Sequence, residues 1–264
     1  MYRSVCPSLL LFIMLWFMVC NFISATTVLL GVDTSRAFWD SRHYVDIATI
    51  DSTLMNSGLI DKSILLYAND PTHSWLQLNS NSRNAIHQVM RPHELSPERF
   101  LRFLSVELWD TASLPQVDTL VLYFAGHGSP GFIRFQDSSI LYKQSLERVL
   151  YALKGAGRFT YLCILVDSCH AASFIDILQG ESWYVGISSS MKNESSYSAF
   201  SDPVTGIPHI DRFSLALSLV NLSRYQNFTS LLLADEFSFK HLLSHPLIVG
   251  NGSLWFRNDP LPDR

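Results

Sequence analysis

The chain has 264 residues, 48% of them hydrophobic, and a formal net charge of -4. That length suits one sizeable domain, and the balance is that of an ordinary globular protein. It excludes a disordered chain and, by charge, a general nucleic-acid binder.

The first 25 residues read differently from the rest. Arg3 precedes the apolar run "SLLLFIMLWFMVC" and then "NFISA", the layout of a signal peptide with Ala25 before the cut. An uncleaved anchor is the alternative, and either way residues 26–264 form a single domain in the secretory pathway. No later stretch is long and apolar enough to span a membrane. Cys6 and Cys20 fall in the leader, leaving Cys163 and Cys169, which share one strand-to-turn segment and are badly placed for a disulfide. Sequons at Asn193, Asn221, Asn227 and Asn251 fit lumenal exposure.

In chain order, "TTVLLGV" from Thr26 reads as a strand, a helix follows from about Asp40 to Asn56, and "SILLYA" is a second strand. "NDPTHSWLQLNSNSRN" is a polar loop. "SPERFLRFLSVELW" is a helix with Ser96 as its cap. "TLVLYFAGHG" is a buried parallel strand ending at His127, and "GFIRFQD" a short hairpin. "YKQSLERVLYALK" is an amphipathic helix, "FTYLCILV" a strand buried on both faces, and "WYVGISS" another strand. "DRFSLALSLVNL" and "LADEFSFKHLL" are late helices. Strands alternating with helices give an α/β fold with a mainly parallel sheet.

Two segments carry chemistry. His127 stands between Gly126 and Gly128 at the carboxyl end of a strand, where open α/β sheets place their sites. Cys169, in "DSCHAASF", ends the next strand and begins a helix, a position that favours a thiolate. One βαβ crossover separates them, so their strands should be neighbours and their side chains should emerge together, as a nucleophile and its base. The plain alternatives are a simple βα turn at His127 and a buried thiol at Cys169. His170 is a rival base, and Cys163 reads as a small buried residue in mid-strand. The backbone N–H groups of Gly128 and Cys169 are candidates for an oxyanion hole.

These residues resemble those of the legumain-like cysteine peptidases of the caspase clan, and most closely the catalytic subunits of glycosylphosphatidylinositol (GPI) transamidases. "DTSRAFWDSRHYVD" is similar to that family's "TSRFWxNYRH", "GHGSPGFIRFQD" to its "GHGGxGFLKFQD", and "LVDSCHAASF" to its "IDTCQA". "HIDRFSLALSLV" and "SHPLIVGNGSLWFRNDP" follow two later motifs, so the similarity covers nearly everything after the leader. The resemblance implies a caspase-like, mainly parallel sheet of about six strands with helices on both faces. It implies that Cys169 attacks a small residue near a proprotein's C-terminus, and that the thioester passes to the ethanolamine amine of a GPI lipid. It implies no cofactor and no metal. It also implies the endoplasmic reticulum lumen, with membrane-bound partner subunits holding the chain.

Three departures qualify the likeness. Asp40 stands where the family has the asparagine that orients the histidine; it can accept from an imidazole N–H, or serve only as a helix cap. The loop after the second strand lacks the cysteine that links many relatives to a partner, which points to non-covalent contact. The chain ends at Arg264 in polar sequence, where many relatives have a membrane span. By analogy Arg42, Asp167, Ser188 and Ser190 line the substrate pocket, against a surface ion pair for Arg42 and a plain turn for the serine loop. The competing functions are a legumain-type asparaginyl endopeptidase, which would need room for a pro-domain, and a catalytically weak scaffold subunit.

Overall fold

The computed structural model describes residues 26–68, 85–89, 95–111, 116–136 and 138–257. The expected signal peptide and the whole of the polar loop after the second strand lie outside them. Among the described residues no helix is long and apolar enough to cross a membrane.

The chain opens with strand β1 (Thr27–Asp33), a 3-10 turn over Phe38–Asp40 and helix α1 (Arg42–Asn56). Strands β2 (Lys62–Tyr67) and β3 (Ala85–Val89) follow. Helix α2 (Pro97–Arg102) starts at Ser96, whose side chain accepts from the Arg99 N–H, and continues through a π turn (Phe103–Glu107) into Leu108–Thr111. Next come β4 (Val117–Ala125), the small antiparallel set β5 (Gly128–Ser129), β6 (Phe132–Phe135) and β7 (Ser139–Tyr142), and helix α3 (Lys143–Gly155). Strand β8 (Phe159–Asp167), the single turn α4 (Ala172–Ile175) and β9 (Tyr184–Ser188) carry the chain onward. The hairpin β10 (Ser198–Ser201) and β11 (Pro208–Asp211) leads to α5 (Arg212–Leu219). The short turns α6 (Phe228–Leu231) and α7 (Phe239–Leu242) and the strand β12 (Leu247–Gly250) end it.

The main sheet has seven strands in the order β12-β9-β8-β4-β1-β2-β3. Neighbours from β9 to β3 are parallel, and β12 runs antiparallel at one edge. The expected sheet of about six strands is therefore present, with one antiparallel strand added. Alternate residues of each strand face opposite sides. Val28, Leu30 and Val32 pack with Phe100, Phe103, Leu146 and Leu150 on one face. Leu29, Tyr123, Cys163 and Leu165 pack with Ile47, Ile50, Phe213 and Phe256 on the other. Helices cover both faces, so the central strands read as unbroken apolar runs.

Three elements depart from the sequence reading. The helix expected to begin at Asp40 begins after Ser41, with Asp40 held in the preceding 3-10 turn. "LADEFSFKHLL" is not one helix, because Ser238 is extended and separates a 3-10 turn (Asp235–Phe237) from α7. The helix after Cys169 is one turn long, so the dipole at its N-terminus is small.

Phe124 is buried in β4 and its ring meets Phe100 of α2 at 5.4 Å and Phe174 of α4 at 5.9 Å. It joins the sheet to two flanking elements at once. Phe124→Ala should cost about 3–5 kcal/mol of unfolding free energy. Urea unfolding, with the midpoint lowered and the slope unchanged, checks this.

Candidate active site

The site begins with a register. β4 and β8 pair in parallel from Val117↔Phe159 to Ala125↔Asp167, and the Gly126 N–H extends the ladder to the Asp167 carbonyl at 3.3 Å. His127 and Cys169 each lie two residues beyond the last pair, so two strands deliver them at one edge. Gly126 and Gly128 are required there. A Cβ on Gly126 would strike Thr34 Oγ1, and one on Gly128 would strike the Cys169 carbonyl oxygen and Ser168 Oγ. The Arg134 N–H bonds to the His127 carbonyl at 2.9 Å, which makes the neighbouring Gly128–Ile133 pair the non-hydrogen-bonded one. The Gly128 N–H therefore points out of the hairpin ladder.

His127 is partly exposed, at 38% for its side chain, and Nε2 meets Asp40 Oδ2 at 3.0 Å. Nδ1 is left as the ring nitrogen for another partner. Asp40 is buried and its second oxygen, Oδ1, accepts from Arg42 Nη1 at 2.8 Å. Burial alone would raise this carboxyl, but the hydrogen bond and charge of His127, with His43 and Arg42, bring it down to about 2. Asp40 is not the cap of α1: Ser41 occupies that position. The edge of the His43 ring stands against His127, centroids 5.2 Å apart, and His43 Nδ1 meets Ser35 Oγ at 2.7 Å. Burial, then the charges of Arg42 and His127, push the His43 imidazole well below its ordinary range.

Behind the histidines lies a buried charged group. Arg42 Nε donates to Asp211 Oδ1 at 2.9 Å, and the Asp211 N–H donates to Asp46 Oδ1 at 2.8 Å. Asp167 accepts from Ser196 Oγ at 3.0 Å through one oxygen and from Ser214 Oγ at 2.9 Å through the other. Burial, then the charge of Asp211, pushes Asp167 up to about 7, and burial with the neighbouring carboxylates drives Asp46 upward too. Asp211 is also raised, burial outweighing its bonds to Arg42.

The expected site residues distribute unevenly. Asp40, Arg42 and His127 form one bonded chain. Cys169 Sγ sits 3.9 Å from the Ser196 carbonyl, and Cys163 is buried in mid-strand with its thiol pushed well up by burial. Ser188 and Ser190 are fully buried and spent on backbone bonds, Ser188 to the Leu247 carbonyl and Ser190 to the Ser168 carbonyl. His170 turns away, its Nδ1 at 2.8 Å from the Lys192 carbonyl. Sequence reasoning missed Asp46, Asp211, Ser196 and Ser214. Asp46 had a signal: it lies four residues after Arg42, on the same helix face.

Donor atoms of Asp40, His43 and His127, and of His43, Asp46 and Asp211, lie within 4.8 Å of one another in each trio. Arg42 bonds to both trios and supplies the positive charge that a cation would bring.

The Peptidase C13 family profile matches residues 28–243. The chain belongs to the Peptidase C13 family. Among Peptidase C13 relatives, the GPI-anchor transamidase of Saccharomyces cerevisiae is 25% identical over 243 residues, 81% of this chain and 57% of the relative. The GPI-anchor transamidase of Homo sapiens is 25% identical over 205 residues, 69% of this chain and 51% of the relative. The chain thus spans a little over half the length of these relatives. Caspase-1 from Spodoptera frugiperda is similar in structure, with a TM-score of 0.53 at 12% identity, over 86% of this chain and 87% of that one. That likeness shows a caspase-like fold for this Peptidase C13 member.

Asp40 and Asp167 act on stability in opposite senses. Asp40, lowered to about 2, contributes fully above its ordinary 3.8 and loses that contribution as pH falls through about 2. Asp167, raised to about 7, binds a proton in the fold that the unfolded chain has released, so stability declines as pH rises from 3.8 to about 7. Calorimetry should show the Tm gap between wild type and Asp40→Asn widest above 3.8 and closing toward pH 2. Asp167→Asn should flatten the decline below pH 7; an unchanged profile would show that Asp167 ionises normally.

Proposed function

We propose that this chain is the catalytic subunit of a GPI transamidase. The observation that carries this reading is its alignment with GPI-anchor transamidases over 69–81% of its length. The delivery of His127 and Cys169 by adjacent strands supports it.

In the proposed cycle, His127 takes the Cys169 thiol proton at Nδ1 while the Asp40 carboxylate holds Nε2–H. The thiolate attacks the carbonyl of a small residue near the proprotein's C-terminus. The resulting oxyanion is met by the backbone N–H groups of Gly128 and Cys169. Collapse breaks the peptide bond, His127 gives its proton to the leaving amine, and a thioester remains. The ethanolamine amine of a GPI lipid then attacks that thioester and passes a proton to His127, and Cys169 leaves as the thiol. Arg42 lines the substrate pocket, while Asp167, Ser188 and Ser190, expected to line it as well, are fully buried and support it from within the fold. Membrane-bound partner subunits hold the chain non-covalently in the endoplasmic reticulum lumen and keep water from the thioester.

His127→Ala should lower turnover by roughly 10²–10⁴-fold, and Cys169→Ala should abolish it with the chain still folded. Cys163→Ala should keep activity, since its thiol is enclosed by the sheet. Asp40→Ala should lose less than His127→Ala, and Asp40→Asn should be tolerated. In membranes supplied with a proprotein substrate, added hydroxylamine or hydrazine should capture the acyl group as an adduct. Rapid asparagine-specific hydrolysis with no adduct would favour the endopeptidase reading; loss of Cys163 proving as severe as loss of Cys169 would move the nucleophile.

A further inference from the structure

The segment from Ser189 to Ser196 runs from the end of β9 along the Cys169 turn, and its end supplies a carbonyl 3.9 Å from Cys169 Sγ. Its first residues are bonded to the sheet. The Ser189 N–H donates to the Val166 carbonyl at 3.0 Å, and the Ala172 N–H to the Ser190 carbonyl at 3.1 Å. Its far half has a different anchor. The Glu194 carboxylate accepts from the Met191 N–H at 3.1 Å and the His245 N–H at 2.8 Å through one oxygen, and meets His245 Nδ1 at 2.8 Å through the other. The Glu194 carbonyl accepts from the His170 N–H at 2.8 Å. His170 follows Cys169 and takes a left-handed backbone, φ 56°, which few residues other than glycine adopt.

His245 is itself fixed. Its ring stacks on Phe239, centroids 4.8 Å apart and planes 23° from parallel. The preceding Ser244 donates to the Ser189 carbonyl at 2.7 Å, and β12 begins three residues after it, at Leu247. The "SHP" stretch, singled out in the sequence but given no role by the chemistry above, thus reaches back to the loop beside Cys169.

We propose that Glu194 and His245 are a positioning pair that fixes the peptide-binding wall beside Cys169, and this rests on Cys169 being the nucleophile. A half-exposed ion pair adds little to global stability. Its geometric effect is larger, because one carboxylate joins the loop, the entry to the edge strand and, through its own backbone, the residue after Cys169. Bonds from His245 and Met191 outweigh the effect of burial and hold the Glu194 carboxyl below its ordinary range. The pair touches no reacting atom, so its loss should affect how a peptide is seated and leave the thiol's own reactivity alone.

Two electrophiles separate these effects. Membranes carrying the full chain would be treated with iodoacetamide, which needs only the Cys169 thiolate, and with a peptidyl acyloxymethyl ketone, which must also be seated along the wall. Labelling at Cys169 would be followed by mass spectrometry. In Glu194→Ala and in His245→Ala the peptidyl reagent should react roughly tenfold more slowly or worse, since small misplacements of bound groups are costly. Iodoacetamide should react at nearly the wild-type rate. The double variant should be no slower than the slower single one, and Glu194→Gln, which keeps an acceptor for the backbone N–H groups, should fall between. An unchanged peptidyl rate, independent effects that multiply in the double variant, or equal slowing of both reagents would overturn the proposal. If the alanine variants do not accumulate, the same ratio in Glu194→Gln decides. Peptidyl labelling of the chain at another residue in Cys169→Ala would count against the nucleophile and not against the pair.

Discussion

The parallel pairing of β4 with β8 carries two chain segments out of the sheet at the same level, and the candidate site is built on that pairing. The ladder continues one step past the strand ends, through the Gly126 N–H and the Asp167 carbonyl. The next residues, His127 and Ser168, have left the sheet. Gly128 then passes so close to the Cys169 carbonyl that a side chain would collide with it. Packing on both faces of the sheet fixes the register, because a slip of one residue would exchange the two apolar sets of β4. The same burial that stabilises the strands therefore sets where the imidazole and the thiol emerge.

Helix α1 supplies the charged half of the site in a compact way. Ile47, Ile50 and Leu54 hold it against the sheet, while Arg42, His43 and Asp46 occupy its first turns. Those positions lie over the carboxyl edge, close to the start of α5 and its Asp211. Burying Asp40, Asp46, Asp167 and Asp211 together is unfavourable unless charge is compensated or protons are retained. Both occur: Arg42 bonds to Asp40 and Asp211, and Asp46 and Asp167 are pushed toward their neutral forms.

The central strands and the pairing of the two that lead to His127 and Cys169 were legible because they follow from local apolar runs and one crossover rule. β3 and β12 were not. Each is an edge strand of five or four residues, too short for periodicity to distinguish from loop, and formed because a neighbour offers a ladder. The late helix failed for the opposite reason: its apolar spacing was helical, yet the chain turns at Ser238 so that Phe237 and Leu242 reach the core. Asp211, Ser196 and Ser214 stayed hidden because their roles depend on contacts across 29 to 169 residues. Asp46 alone carried a local sign, its helical spacing from Arg42.

The substitution of aspartate for the resembled family's asparagine at position 40 has a physical consequence. A neutral amide could orient the imidazole without responding to its charge. A carboxylate is an ion, and inside a protein an ion left without a partner would be costly. Arg42 removes that difficulty. Asp40 Oδ1 is committed to the guanidinium and Oδ2 to the imidazole, so each oxygen keeps a partner in either protonation state. Arg42 is in turn balanced by Asp211, whose N–H rests on Asp46. In the proposed cycle, the charge that His127 gains and loses is met by a preset carboxylate of opposite sign, which Arg42 also holds.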